Sequence, residues 1–83
     1  MSEIEHFIRT SIEKNTGIFI EEINDSILEK NVSPLDLLYV ICDIEQTYGV
    51  SAQYIIDNTT PDSFTIEHIT KIIFEKRNVV INA

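Results

Sequence analysis

Few groups in this chain could make or break a covalent bond. Ser33 stands immediately before Pro34 at the head of an apolar, helix-patterned run. A serine there is expected to cap the helix, its oxygen accepting from a free backbone N–H for ~1 kcal/mol. Cys42 is the one cysteine, so no internal disulfide and no four-thiolate zinc site can form. It lies mid-helix with Asp43 beside it and no cation to make it a reactive thiolate, which points to packing or contact. His6 and His68 stand alone, without Asp, Glu or Cys at metal-ligand spacing, and are read as solvent-side helix residues. The carboxylate groups Glu21-Glu22, Asp43-Glu45 and Asp57-Asp62 lack the alternating spacing and glycine of a calcium loop. No glycine-rich phosphate loop and no Ser-His-Asp order occurs. No metal is expected, and the chain reads as one that other proteins recognise, not as an enzyme.

Charge supports that reading. The net charge is −8 on 83 residues, with 43% apolar content. So acidic a surface repels nucleic acid and anionic lipid and steers towards basic patches on proteins, while the apolar content is enough for a folded core. One domain, spanning residues 1–83, is expected at this length, as a monomer. The segment MSEIEHFIRT carries acids where a secretory signal carries bases, and no apolar run approaches the ~18 residues of a membrane span. The expected compartment is the cytoplasm.

The elements that must position these residues follow from periodicity. Ser2 and Glu5 have capping-box spacing, and Ile4, Ile8 and Ile12 recur at helical steps until Asn15, Thr16 and Gly17. A first helix is therefore predicted over about 2–15. Ile18 to Val32 has no sustained period and is predicted as a long loop anchored on the core. Pro34 suits a first helical position and Asp36 the first turn, so a second helix runs over 34–48, closed by Gly49. A short helix over 51–57 should turn Tyr54, Ile55 and Ile56 inward. The last helix is predicted over 63–77, with Phe64, Ile66, Ile69, Ile72 and Ile73 as its stripe and Lys71, Lys76 and Arg77 towards its C-terminal end. For the tail from Val79 to Ala83 the sequence leaves packing and fraying open. The fold class is all-α: a four-helix bundle with three long helices, one short helix and a long first loop.

At ~100° per residue, Leu37, Val40, Ile41, Ile44 and Tyr48 share one side of the second helix. Leu35, Leu38 and Cys42 form another stripe, flanked by Tyr39 and Glu45. A helix packed on one side needs only one apolar stripe. The second is either covered by Phe19, Ile27 or Leu28 of the loop, or left open for a partner.

This order and acidity, together with Pro34-Leu35-Asp36-Leu37-Leu38-Tyr39-Val40-Ile41-Cys42-Asp43-Ile44-Glu45-Gln46-Thr47-Tyr48, resemble the acyl carrier protein family. In that family the second helix opens with Asp-Ser-Leu-Asp and closes with Leu-Glu-Glu-x-Phe. Leu35-Asp36 and Ile44-Glu45-Gln46-Thr47-Tyr48 match without a gap. Weaker similarity covers the first helix with Gly17 and the Asp62-Ser63-Phe64-Thr65-Ile66 entry to the last. The ungapped match puts Pro34 where the family has its phosphopantetheine-bearing serine, and proline cannot be modified that way.

The resemblance implies a docking or accessory module for a biosynthetic or modifying enzyme with a basic docking surface, without a phosphopantetheine arm. It also implies Leu35, Asp36, Leu38, Tyr39, Cys42, Asp43 and Glu45 as partner contacts. Companions of peptide-maturation enzymes within the acyl-carrier-related group look similar. The alternative is an acyl or peptidyl carrier with 4'-phosphopantetheine on Ser33, its acyl chain entering the Ile-rich bundle. A third reading is a regulatory or antitoxin-like binder that shares only the fold.

Overall fold

The computed structural model describes the backbone of residues 2–82 and the side chains of residues 3–76. Helix α1 spans Ser2–Thr16, α2 Pro34–Tyr48, α3 Ala52–Asp57 and α4 Ile66–Asn82. Two 3-10 turns, Ile27–Lys30 and Pro61–Ser63, lie in the connections. No strand occurs among the described residues. The chain is thus the small all-helical bundle that its periodicity predicts.

Ile4, Ile8 and Ile12 of α1 are buried, and Thr16 turns its hydroxyl back onto the Ile12 carbonyl at 2.7 Å. Gly17 then adopts φ +76°, a conformation that only glycine takes cheaply, and ends the helix. The Ser2 side chain lies outside the described residues, and with it the capping box. Pro34 opens α2 and holds Ser33 in extended backbone at φ −65° and ψ 136°. Gly49, at φ +73°, closes α2 by donating its N–H to the Glu45 carbonyl.

The loop between α1 and α2 is a structural layer of its own. Ile20 and Ile27 are fully buried, each burial contributing roughly 2–3 kcal/mol. The Lys30–Asp25 ion pair at 3.5 Å is exposed and contributes well under ~1 kcal/mol, so apolar burial decides where the loop lies. Backbone bonds from Ile27 N–H to the Phe64 carbonyl and from Glu67 N–H to the Ile23 carbonyl fasten the loop to the start of α4. Arg9 holds its other end. Its Nε donates to the Ile20 carbonyl at 2.7 Å, its Nη2 to the Glu21 carbonyl at 3.1 Å, and the guanidinium lies over the Phe19 ring.

Three expectations need correction. Ile55 of α3 is buried, but Tyr54 is half-buried and Ile56 is exposed, because consecutive helical residues point ~100° apart and three in a row cannot all face one core. Helix α4 starts at Ile66 and not at residue 63. Pro61–Ser63 closes its own turn through reciprocal Thr60 and Ser63 bonds, and Thr65 supplies the cap, accepting from His68 N–H at 3.0 Å. The same helix runs past Arg77 to Asn82. Neither Gly nor Pro stops it there, so Lys71, Lys76 and Arg77 do not occupy its last turn. The backbone of residues 79–82 is helical, while its side chains and Ala83 lie outside the described residues.

Helix α1 packs against α2 and α4, and α2 also against α3. The shared core is dominated by isoleucine: Ile8, Ile12, Ile20, Ile27, Ile44, Ile55, Ile66 and Ile73 are fully buried.

Candidate functional site: the outer face of α2

Leu37, Val40, Ile41 and Ile44 enter the core, and Tyr48 sits half-buried edge-on to Phe7. That burial leaves the opposite side of α2 to solvent. Leu35 is 58% exposed, Leu38 48% and Tyr39 53%, and Cys42 is exposed in the same stripe. The loop does not cover them. Ile27 is spent in the core, Phe19 lies exposed beside Arg9, and Leu28 is exposed in its own 3-10 turn.

The carboxylates predicted to border this face divide. Asp36 is half-buried in the first turn of α2. Glu45 is exposed and accepts the Ala52 N–H at 3.3 Å, tying the end of α2 to the start of α3. Asp43 turns towards α1 instead. Its Oδ2 accepts from the Ser11 hydroxyl at 2.8 Å and the Asn15 amide at 3.0 Å, with the Lys14 ammonium at 3.2 Å. Desolvation acts to raise the Asp43 pKa. The bonds from Ser11, Asn15 and Lys14 and the positive charge of Lys14 outweigh it, holding the carboxyl below its ordinary value. Asp43 is therefore a brace between α1 and α2, and its charge is drawn off the Leu35, Leu38 and Cys42 stripe.

Ser33 departs from expectation more sharply. It occupies the cap position of α2, but its side chain makes no capping hydrogen bond. Ser33, Pro34 and Leu35 are all exposed, so water can serve the free N–H groups of the first turn. Among the described residues the hydroxyl has no hydrogen-bond partner, and it stands at the surface.

Arg9, Ser11, Lys14 and Asn15 were not legible as structural partners. The one local signal is Ser11, a polar residue at helical spacing within the Ile4, Ile8 and Ile12 stripe and 3% exposed. His6 is exposed, and His68 is half-buried with Nε2 at 2.9 Å from the Asn58 carbonyl. Among the described residues, no group of three His, Cys, Asp or Glu could hold a metal ion, and no helix is long and apolar enough to cross a membrane.

What α2 presents to solvent is a row of large apolar side chains, Leu35, Leu38 and Tyr39, with Asp36 and Glu45 at its margins. No protein-family model, no curated protein and no solved structure matches the chain.

Proposed function

We propose that this protein is an acyl-carrier-like docking module for a biosynthetic or modifying enzyme, bound through the outer face of α2. The observation that carries the reading is the uncovered row of Leu35, Leu38 and Tyr39 on a helix whose other side already fills the core. Apolar contact there supplies affinity, while Asp36, Glu45 and the net charge of −8 steer a basic surface to it. The test takes the enzymes encoded by neighbouring genes, purified, and measures binding to the wild type and to Leu38→Asp. The variant should keep its helical circular dichroism, since Leu38 is about half exposed, and lose binding. A folded variant that binds like the wild type overturns the proposal.

A second reading is favoured by one observation, the uncommitted hydroxyl of Ser33. Exposed and without a capping bond, Ser33 has the oxygen that attachment of 4'-phosphopantetheine needs, and Pro34 does not. When bound, that group supplies a flexible thiol for a thioester-linked cargo. Intact mass after co-expression with a broad-specificity phosphopantetheinyl transferase separates the readings. Unchanged mass supports the module without an arm. A gain of one phosphopantetheine, abolished by Ser33→Ala, establishes the carrier.

A further inference from the structure

A second apolar surface lies away from the face of α2. Leu28 of the first 3-10 turn, Ile56 of α3, Pro61 of the second 3-10 turn, and Thr59, Thr60 and Phe64 line a cleft of about 220 Å3. No residue of α2 contributes to it. Leu28 and Ile56 stand 41% and 46% exposed at its walls.

The chemistry of the lining selects the occupant. The Thr60 hydroxyl is engaged with Ser63 at 3.0 Å, and Thr59 Oγ1 is buried from solvent without a partner among the described residues, so neither is open to a polar ligand. What remains is aliphatic and aromatic wall. The volume falls below the ~300–1,000 Å3 usual for small-molecule sites and suits one anchoring side chain. Glu29, Asp57 and Asp62 follow directly on Leu28, Ile56 and Pro61, all three are exposed, and none is in an ion pair among the described residues. Among the described residues Asp57 accepts only the Gln53 amide, at 2.7 Å. A lipid surface carrying anionic headgroups is repelled by the same charges.

We propose that this cleft is a docking site, separate from α2, for a basic protein segment that inserts one large apolar side chain and places Lys or Arg against Glu29, Asp57 and Asp62. This inference does not rest on the function proposed for α2.

The probe is the acetylated, amidated peptide Arg-Lys-Ala-Leu-Phe-Lys-Arg, titrated into the full-length isotope-labelled chain and followed by NMR. A twin peptide carries Ser-Ser in place of Leu-Phe. Saturable shifts are expected at the Leu28 and Ile56 methyls and the Phe64 amide, with affinity about tenfold lower for the Ser-Ser twin. Ile56→Asp should remove these shifts, and Asp57→Asn with Asp62→Asn should weaken binding and flatten its salt dependence. Equal binding of the two peptides overturns the proposal, because charge alone would then suffice. Shifts centred on Leu35 and Leu38 also overturn it. So do shifts at the cleft when the protein alone is concentrated, which would make a second copy the occupant.

Discussion

Replacing Asp43 with alanine tests the brace between α1 and α2 most directly. Three donors converge on one oxygen, Oδ2, and they do not matter equally. The Lys14 side chain is 65% exposed, so its pairing contributes a few tenths of a kcal/mol at most. Asn15 keeps its 2.9 Å bond to the Ser11 carbonyl when the carboxylate is gone. Ser11 bears the main loss, because its buried hydroxyl forfeits its acceptor, a cost of ~1–3 kcal/mol. A helical serine can turn to the carbonyl one turn back, which holds the cost to the lower part of that range. The total is about 1.5–2 kcal/mol, against a stability on the order of 4–12 kcal/mol for a chain of this length. Thermal melts followed by circular dichroism at neutral pH should show a midpoint lower by roughly 10 °C.

Acid provides the control. Because the folded-state pKa of Asp43 is depressed, its contribution is fully present above the unfolded value of ~3.9 and is lost as pH falls through the folded value. The gap between wild type and Asp43→Ala should therefore narrow below about pH 3.9. Equal midpoints at neutral pH, or a gap unchanged at about pH 2.5, would refute the reasoning.

Ser33→Ala should leave the urea midpoint within ~0.5 kcal/mol of wild type, since the structure gives its side chain no capping bond to lose. Thr65→Val, which removes the oxygen accepting from His68 N–H, should cost ~1 kcal/mol in the same assay. Thr70→Val should instead raise stability by ~1 kcal/mol, because the Thr70 hydroxyl is fully buried and has no hydrogen-bond partner among the described residues.

The two stripes of α2 were legible because a helical period sorts Leu37, Val40, Ile41 and Ile44 from Leu35, Leu38 and Cys42 without knowledge of any neighbour. Gly17 and Gly49 marked helix ends for an equally local reason, their access to positive φ. Asp43 was hidden, because its partners Ser11, Lys14 and Asn15 lie 28 to 32 residues away and its wheel position borders the exposed stripe. Arg9 was hidden likewise, since backbone carbonyls as acceptors leave no trace in residue type. The cap of Ser33 misled in the other direction. A favourable residue type at a helix start does not compel a bond where solvent already reaches the free N–H groups. The start of α4 misled because Ser63 and Thr65 are both competent caps, and only the Thr60 partnership of Ser63 decides between them.

The isoleucine core sets a limit on what the bundle can house. In a helix a β-branched side chain is held largely to a single χ1 rotamer, ~90% of the time for isoleucine. Ordering Ile8, Ile12, Ile44, Ile66, Ile69 and Ile73 on folding therefore gives up less rotational freedom than methionines would, and the packed side chains have few alternative poses to move into. A flexible alkyl guest entering among them would meet stiff walls that cannot re-pivot to make room. If Ser33 bears a phosphopantetheine arm, the cargo on its thiol then rides outside the bundle, where a partner enzyme could take it without first extracting it.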